Sequence, residues 1–397
     1  MTNTLQQCIS KVRLGAAGAA LTFVVVLAIG VVTTPSAQAQ TFTDLYNFTD
    51  GADGGYPYAG LVRDAAGNLY GTTGSGGSSS EGVVFAVDKT GTESVLYNFT
   101  GGADGANPYA GLLRDTDGTL YGTTARGGAS GFGTVFELSK AGTETVLYSF
   151  AGGTSDGCNP YGGLVQNKAG SLYGTTAKCG SNNQGTVFKV TKGGKETVLH
   201  SFVGSDGAFP YYTSLLMDAK GNLYGVTEEG GTTFQGVVYK LSKKGTLTVL
   251  YSFAGGTTDG CYAYGTPVMD KQDNLYGTTN ACGTSGDGNV WKVSNKGKET
   301  VLHNFAGGSS DGAGPNAGVI FDEKGNLYGD TDVGGDSGVG TVYELSKKGT
   351  LTLLHSFSTS DGSYLWGGVI RSASGTLYGT TLEGGSSGFG TVWKVRP

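Results

Sequence analysis

The chain has 397 residues, of which 74 are glycine, 8 are proline and only 15% are charged. Collagen is excluded because there is no Gly-X-Y period, and a helical protein is excluded because glycine costs about 1 kcal/mol at each helical position. Disorder is excluded because 38% of residues are hydrophobic and 11% are aromatic. The net charge of −6 argues against nucleic acid, which selects basic patches. The composition is that of a β-protein rich in turns.

The first 40 residues have the features of an export signal. They contain no acidic residue, two basic residues and an apolar run from Leu14 to Val32, followed by Pro35 and by Ala-Gln-Ala at 37–39. This tripeptide has the small-x-small pattern of a secretory cleavage site. We therefore predict a signal peptide over residues 1–39 and a secreted or periplasmic product with no membrane association after cleavage. The alternative is an uncleaved anchor, because the run approaches the roughly 20 residues that span a bilayer.

A repeat of about 51 residues fills the rest of the chain. Each unit has Leu-(Tyr/His)-(Asn/Ser)-Phe, then Asp-Gly, an aromatic residue, Leu-Tyr-Gly and Gly-x-Val-aromatic. The tyrosine of Leu-Tyr-Gly recurs at Tyr70, Tyr121, Tyr173, Tyr224, Tyr276, Tyr328 and Tyr378. Seven copies at a nearly constant interval indicate a propeller or a solenoid.

Four segments in each unit are typical of short strands, because β-branched and aromatic residues are bounded by glycine, Asp or Asn. In the second unit they are Tyr109–Arg114, Thr119–Thr124, Thr134–Ser139 and Glu144–Phe150. Four antiparallel strands in seven units predict an all-β fold, a seven-bladed β-propeller. An open solenoid is the alternative, but it needs polar caps that neither end of the repeat region provides.

The two ends of the repeat region complement each other. The last unit stops at Val395 after its third strand, whereas Thr41–Phe48 matches the fourth strand of other units. We therefore expect the N-terminal strand to pair with the last blade and close the ring, which removes exposed sheet edges. Residues 40–397 are predicted to form one propeller domain, and we expect a monomer.

Four cysteines follow the predicted signal peptide as two equally spaced pairs. Cys158 and Cys261 follow Asp-Gly, and Cys179 and Cys282 replace the first glycine of a Gly-Gly. Because both positions change to cysteine together in two units, and neither changes alone, the two loops are expected to lie within disulfide range. A metal site is the alternative, but no histidine is near either pair. We predict the disulfides Cys158–Cys179 and Cys261–Cys282, which indicate an oxidising compartment.

The motifs Leu-Tyr-Gly-Thr-Thr, Gly-Gly, Gly-Thr-Val-Phe and Thr-Val-Leu-Tyr-Ser-Phe resemble the GloVer repeat of bacterial choice-of-anchor tandem-repeat proteins. The resemblance covers residues 41–395. It implies an exported protein, usually one with a C-terminal surface-sorting segment. Nothing follows Pro397 in this sequence, which favours a freely secreted or periplasmic product over an anchored one. The resemblance implies no reaction and no catalytic residues.

Aromatic residues are the main candidates for ligand binding. One set recurs at the start of the innermost strand: Tyr58, Tyr109, Tyr161, Tyr212, Tyr264 and Trp366, with Asn316 as the exception. These rings are suited to stacking on sugars, although packing between blades is the favoured alternative. A second set is more suggestive because the repeat does not require it: Tyr56, Phe209, Tyr211, Tyr262 and Tyr364. This second set and Trp366 are predicted to bind a ligand on the loop face.

Acidic residues that depart from the repeat are the candidates for catalysis: Glu228, Glu229, Asp330 and Asp332. Exposed loop acids without a catalytic role are the favoured alternative. His200, His303 and His355 occupy a position that is tyrosine in other units and are predicted to be packing residues. The seven Asp-Gly steps are predicted to be turns in which Asp accepts a backbone hydrogen bond and Gly supplies positive φ. One carboxylate per blade does not provide the ligands of Ca²⁺, so no metal or cofactor is expected.

The sequence thus favours a secreted, non-enzymatic binding module for extracellular glycans or cell-surface partners. One alternative is an extracellular carbohydrate-active hydrolase or lyase in which Glu229, Asp330 and Asp332 act as general acid or base. Another is a structural component of the envelope. Binding is favoured because active sites break symmetry and the repeat is regular.

Overall fold

The computed structural model describes residues 40–397, and the predicted signal peptide lies outside the described residues. Within them the regular structure consists of 32 short strands. Seven sheets have four antiparallel strands each and form the blades of a ring, and two further sheets are two-stranded ribbons. The protein is a seven-bladed β-propeller.

Each blade runs from an innermost first strand to an outer fourth strand. The innermost strands are β2 (Val62–Arg63), β6 (Leu113–Arg114), β11 (Val165–Gln166), β16 (Leu216–Met217), β20 (Gly260–Met269), β25 (Ile320–Phe321) and β30 (Ile370–Arg371). The second strands are β3 (Leu69–Thr73), β7 (Leu120–Thr124), β12 (Leu172–Thr176), β17 (Leu223–Thr227), β21 (Leu275–Cys282), β26 (Leu327–Thr331) and β31 (Leu377–Thr381). Blade 1 begins with β2, and the other blades follow in chain order.

The third strands are β4 (Val83–Val87), β8 (Thr134–Leu138), β14 (Thr186–Val190), β18 (Val237–Leu241), β22 (Asn289–Val293), β28 (Thr341–Leu345) and β32 (Thr391–Arg396). The fourth strands are β5 (Glu93–Asn98), β9 (Glu144–Ser149), β15 (Glu196–Ser201), β19 (Leu247–Ser252), β23 (Glu299–Asn304), β29 (Leu351–Ser356) and, in blade 7, β1 (Thr41–Asn47). The ribbons are β10 (Gly157–Cys158) with β13 (Lys178–Cys179) and β24 (Gly312–Ala313) with β27 (Val333–Gly334).

The ring is closed as the sequence predicts. Strand β1 pairs antiparallel with β32, from Thr41 opposite Arg396 to Asn47 opposite Thr391. The Thr380 hydroxyl also donates to the Ala59 carbonyl at 3.0 Å across the closure. The chain therefore joins its two ends within one sheet, and blade 7 is shared between them.

The hydrophobic core is divided into seven clusters, one at each seam between adjacent blades. At the first seam Phe48, from the Leu-x-x-Phe motif of blade 7, is fully buried. Its ring lies 5.0 Å from that of Phe85, the aromatic residue that follows Val84 on the third strand of blade 1. The same edge-to-face contact recurs at the other six seams. Two of the repeated motifs are therefore the two halves of one inter-blade contact.

The predicted innermost strand is too long. Of Tyr109–Arg114, only Leu113–Arg114 pairs with β7. The residues before Leu113 leave the ladder because their backbone is bonded to the neighbouring blade, where the Thr72 hydroxyl donates to the Ala110 carbonyl at 3.0 Å. In the blades other than blade 5 these segments line the central channel instead of extending the sheet, whereas in blade 5 the longer β20 pairs with β21 from Gly260 onward.

Both predicted disulfides are present. Cys158–Cys179 and Cys261–Cys282 each have a Cα–Cα distance of 5.4 Å. In blade 3, ribbon pairing places Gly157 and Cys158 opposite Cys179 and Lys178. The inference that the two loops touch is confirmed, and it places both loops on one face of the ring.

The Asp-Gly prediction is confirmed for the aspartate and is partly wrong for the glycine. All seven aspartates accept a hydrogen bond from a backbone amide three to five residues earlier in the chain. Gly54 has the predicted positive φ, at 88°. Gly157 does not; it is required for space, because a Cβ there would lie 2.4 Å from the Thr176 side chain.

Candidate functional site

The inner segments of all seven blades surround a central cavity of about 350 Å³. One end of this channel, which we call the mouth, lies on the face that carries the inter-blade loops and the loops after the second strands. Tyr58, Tyr109, Tyr161, Tyr212 and Trp366 line the cavity. Five of the six aromatic residues of the first predicted set therefore gather at one place, whereas Tyr264 is not part of the cavity lining.

These five residues form a closed circuit of ring contacts. The centroid distances are 4.6 Å for Tyr58–Tyr109, 5.7 Å for Tyr109–Tyr161, 5.3 Å for Tyr161–Tyr212, 5.4 Å for Tyr212–Trp366 and 5.8 Å for Trp366–Tyr58. All five rings are half-buried. Tyr212 is on blade 4 and Trp366 is on blade 7, so the circuit crosses the channel and bypasses blades 5 and 6.

A local irregularity of blade 4 accompanies this crossing. The segment from Phe209 to Leu216 is one residue longer than its counterpart from Tyr56 to Val62. Tyr212 adopts a left-handed backbone with φ of 49°, whereas Tyr58 and the other members of the circuit do not. Such a conformation is unfavourable for a bulky residue. The extra residue thus places an additional ring, Tyr211, beside the circuit, where its centroid is 5.4 Å from that of Tyr161.

The two bypassed blades hold polar contacts in place of ring contacts. In each blade one residue directly follows Thr-Thr or its equivalent. In blades 4, 5 and 6 this residue is Glu228, Asn280 and Asp332. In the other four blades it is Gly74, Ala125, Ala177 and Leu382. Each of the three bonds to the next blade. Tyr264 donates to Glu228 Oε1 at 2.6 Å, Asn280 donates to Asn316 Oδ1 at 2.8 Å, and Trp366 Nε1 donates to Asp332 Oδ1 at 2.9 Å. We call Glu228, Tyr264, Asn280, Asn316 and Asp332 the polar sector.

The carboxyl groups of the polar sector have raised pKa values. Burial raises the pKa of Asp332 to about 6, with a further rise from the Glu383 charge and an opposing effect of bonds from Trp366 and Asn316. Burial also raises the pKa of Glu228, against the bond from Tyr264. A buried carboxyl with a raised pKa in a cleft is a common feature of functional sites.

The predicted catalytic residues are separated by the fold. Asp332 belongs to the polar sector, but the Glu229 side chain is exposed, and its backbone pairs with Ala208. Asp330 is 1% exposed and lies in β26, between blades 6 and 7, with neither carboxyl oxygen in a hydrogen bond. Burial raises the pKa of Asp330 to about 8. Asp330 is thus enclosed in the seam behind the channel lining, next to Gly368 and within the influence of the Asp332 charge.

The predicted ligand-binding aromatics are also divided. Trp366 lines the cavity, and Phe209 stacks on Tyr211 with centroids 6.1 Å apart, which extends the aromatic surface outward along blade 4. Tyr56 instead packs edge-on against Phe389 at the seam of blades 7 and 1. Tyr262 and Tyr364 lie on the same face but outside the cavity lining.

Four of these aromatics share a strained backbone position. Tyr56, Phe209, Tyr262 and Tyr364 have φ between 53° and 61°, and the equivalent residues of the other blades are Asn107, Asn159 and Gly314. The position is left-handed in every blade because its amide bonds to the preceding blade, as in Tyr364 N to Val339 O at 3.0 Å. Asn and Gly tolerate this conformation, whereas for an aromatic residue it costs about 1 kcal/mol. Strain of this kind often marks functional surfaces.

Sequence reasoning missed Asn280 and Asn316 as partners and did not separate Glu228 from Glu229. The available signal was that, in three consecutive units, the residue after Thr-Thr or its equivalent is polar, whereas in the other units it is small or apolar.

Within residues 40–397 no three His, Cys, Asp or Glu side chains are grouped so that they could hold a metal ion. In the same part of the chain there is no helix of the length and apolar character needed to cross a membrane.

The sequence matches the family model described as the Gloeobacter/Verrucomicrobia repeat over residues 27–168, 152–320 and 211–397. The chain belongs to this family. The three matches together extend over the whole propeller, which agrees with the resemblance seen in the motifs. No curated protein matches the sequence.

Solved structures share the fold at low identity. The extracellular domain of a one-component system protein from B. thetaiotaomicron is 10% identical with a TM-score of 0.55, and the match covers 88% of this chain and 39% of that one. A puromycin hydrolase is 11% identical with a TM-score of 0.53, covering 83% and 50%. A Bacteroides fragilis protein described as a 6-phosphogluconolactonase is 18% identical with a TM-score of 0.50, covering 81% and 87%. The chain thus spans well under half of the first of these proteins, and the similarity concerns the fold alone.

Proposed function

We propose that this protein is an exported, non-enzymatic binding module that recognises extracellular glycans at the mouth of its central channel. The observation that supports this most is the division of the mouth into an aromatic circuit and an adjoining polar sector. Aromatic faces stack on the apolar faces of sugar rings, and neighbouring carboxyl and amide groups bond to sugar hydroxyls. The two disulfides support export, because such bonds persist in oxidising compartments.

The aromatic surface on blade 4 is the best place to test this proposal. A glycan array probed with the mature protein should identify a ligand, and titration should then show weaker binding by Tyr211→Ala. Loss of one stacking ring is expected to lower affinity about tenfold. Phe234→Ala is the matched control, because Phe234 is 67% exposed on a loop of the same blade, whereas the Tyr211 ring packs against Tyr161 of the circuit. Equal binding by both variants and the parent protein would contradict the proposed site.

A carbohydrate-active hydrolase or lyase is the second candidate, because the pKa of Asp332 is raised to about 6 beside an aromatic cavity. A general acid needs a pKa near the working pH. Turnover of any glycan by the mature protein that is lost in Asp332→Asn would establish this function in place of the first.

A further inference from the structure

The charged groups at the mouth are predominantly acidic. Burial is the main cause of the raised pKa values of Tyr58, Tyr211 and Asp332, and acidic groups add to it. Glu383 raises the pKa of Tyr58 and of Asp332 further, and Glu228 and Glu229 do so for Tyr211. The opposing basic side chain among the described groups is Arg126, which acts on Tyr109 at the aromatic side. No lysine or arginine within residues 40–397 forms an ion pair with any of these acids; the ion pairs there join His and Asp elsewhere in the blades.

Glu228 and Asp332 differ in what their oxygens contact. Asp332 is held by the Trp366 indole at 2.9 Å, and the Asn316 amide also bonds to it. In the described structure Glu228 receives one protein donor, Tyr264, at Oε1. Its second oxygen is therefore available to a ligand, beside Tyr211 and Tyr264. Asp332 is thus held by two protein donors, whereas Glu228 accepts from a protein donor at one of its two oxygens and is half-satisfied in its hydrogen bonding.

A half-satisfied carboxylate next to aromatic faces suits an ammonium group. The faces of tyrosine and tryptophan attract cations through their quadrupole, and a carboxylate forms a charge-assisted hydrogen bond to an ammonium donor. The same groups repel a uronate or a sulfated sugar. A neutral sugar can donate a hydroxyl to Glu228, but only an ammonium group also balances its negative charge in this partly buried place.

We infer that the ligand of the mouth is an amino sugar with a free ammonium group, which bonds to Glu228 while its ring lies against Tyr211 and Tyr212. This inference rests on the proposed function, because it names the class of glycan that the same site recognises. It also states a selectivity: acetylation of the amine removes the charge and the donor that Glu228 requires.

The test compares two probes that differ only in the amine: a β-1,4-linked glucosamine hexaose and the same hexaose fully N-acetylated. Binding of the mature protein to each is measured by titration calorimetry at low salt and at about 0.5 M salt. We expect the free amine to bind at least about tenfold more tightly at low salt and to lose affinity at high salt through screening. Glu228→Gln should remove this preference. Glu323→Gln, at an exposed turn on the opposite face, should keep it.

The other outcomes separate the two proposals. Equal affinity for both hexaoses, or a preference for the acetylated one, would overturn the amino-sugar inference and leave glycan binding in place. A preference that survives in Glu228→Gln would overturn the assignment of Glu228. Binding of neither hexaose, with binding of another glycan on the array, would overturn the inference alone. Absence of binding to every glycan would remove the proposed function as well.

Discussion

The outer rim of the ring and the mouth of the channel differ in how closely the seven blades resemble one another. At the rim, every Asp of Asp-Gly bonds to the Tyr or His side chain of the preceding fourth strand, as in Tyr46–Asp53 at 3.0 Å and His200–Asp206 at 2.9 Å. All seven blades make this contact. At the mouth, by contrast, blades 4 to 6 carry residues that the other blades lack. The contact that never varies supports the blade, and the positions that vary locate the candidate site.

Even the variation at the rim has a structural pattern. Where the rim residue is tyrosine, the next blade places a glutamate beside the aspartate: Glu93, Glu144, Glu196 and Glu299. Where it is histidine, the same position is Leu247, Leu351 or Phe42, and Phe42 stacks on His355 at 3.9 Å. Burial and the neighbouring aspartate raise the pKa of each glutamate to about 7. The histidines, each of which also packs edge-on against a phenylalanine, are confirmed as packing residues.

The largest effect is expected from removal of the strand that completes the ring. A mature protein that lacks Thr41–Phe48 loses the outer strand of blade 7 and the buried Phe48 ring, and a single Phe→Ala change in a core costs about 3–5 kcal/mol. We expect loss of the cooperative melting transition, measured by circular dichroism against the intact mature protein. An unchanged melting temperature would show that β1 does not close the ring.

A smaller effect is expected at Asp330, where the seam of blades 6 and 7 departs from the repeat. In five of the other blades a threonine at this position donates to a carbonyl of the next blade, as Thr278 does to Ala317 at 2.6 Å. Asp330 makes no such bond to a carbonyl of the next blade, so Asp330→Thr should stabilise the protein by at least about 1 kcal/mol. The native pKa of about 8 lies above the ordinary 3.8, so the parent loses stability as pH rises toward 8 and the gain should increase over that range.

Val226→Thr is the matched control for that measurement. In blade 4 the Gly265 carbonyl already accepts from Thr213 at 2.9 Å, so a new hydroxyl at 226 should bring little gain in chemical denaturation at about pH 6 and about pH 9. Because Asp330 is 1% exposed and is not among the residues that line the cavity, Asp330→Thr should leave glycan binding unchanged. Loss of binding or turnover in this variant would restore Asp330 as a functional residue.

The four rim glutamates should make stability depend on pH. Their pKa is about 7 in the native state, above the ordinary 4.5, so the native state binds more protons between these values. The free energy of unfolding should therefore decrease as pH rises from about 4.5 to 7. Solvent screening limits the effect to less than about 1 kcal/mol per half-exposed site. Replacing all four with glutamine should flatten the urea-denaturation profile across this window, while a slope equal to the parent's would refute the assignment.

The smallest effect is expected at the strained loop position. Tyr364→Asn places a residue that tolerates φ of 61° where the parent has an exposed tyrosine, and a gain of up to about 1 kcal/mol is expected. Asn107→Tyr, the reverse change on blade 2, should cost a similar amount and also lose the bond from Asn107 to the Gly74 carbonyl. Differential scanning calorimetry measures the change in stability of each variant relative to the parent protein. A loss of stability in Tyr364→Asn would exclude strain at this position.

The architecture could be predicted from the amino-acid sequence, because each part of that conclusion depends on periodicity or on local turn chemistry. The repeat interval indicated the blades, the complementary ends indicated the closure through Thr41–Phe48, and the paired exchange to cysteine identified two loops in contact. The Asp of Asp-Gly was correctly assigned to a turn for the same reason.

Which irregular residues meet could be learned only from the folded ring. Glu228 and Glu229 are adjacent in sequence, yet one bonds to Tyr264 on the next blade and the other faces solvent. Tyr212 reaches Trp366 across the channel through one extra residue, and the short innermost strands of the blades other than blade 5 result from hydrogen bonds between blades. These contacts join residues from different repeats, and their geometry depends on how the blades close around the axis, which no local pattern encodes.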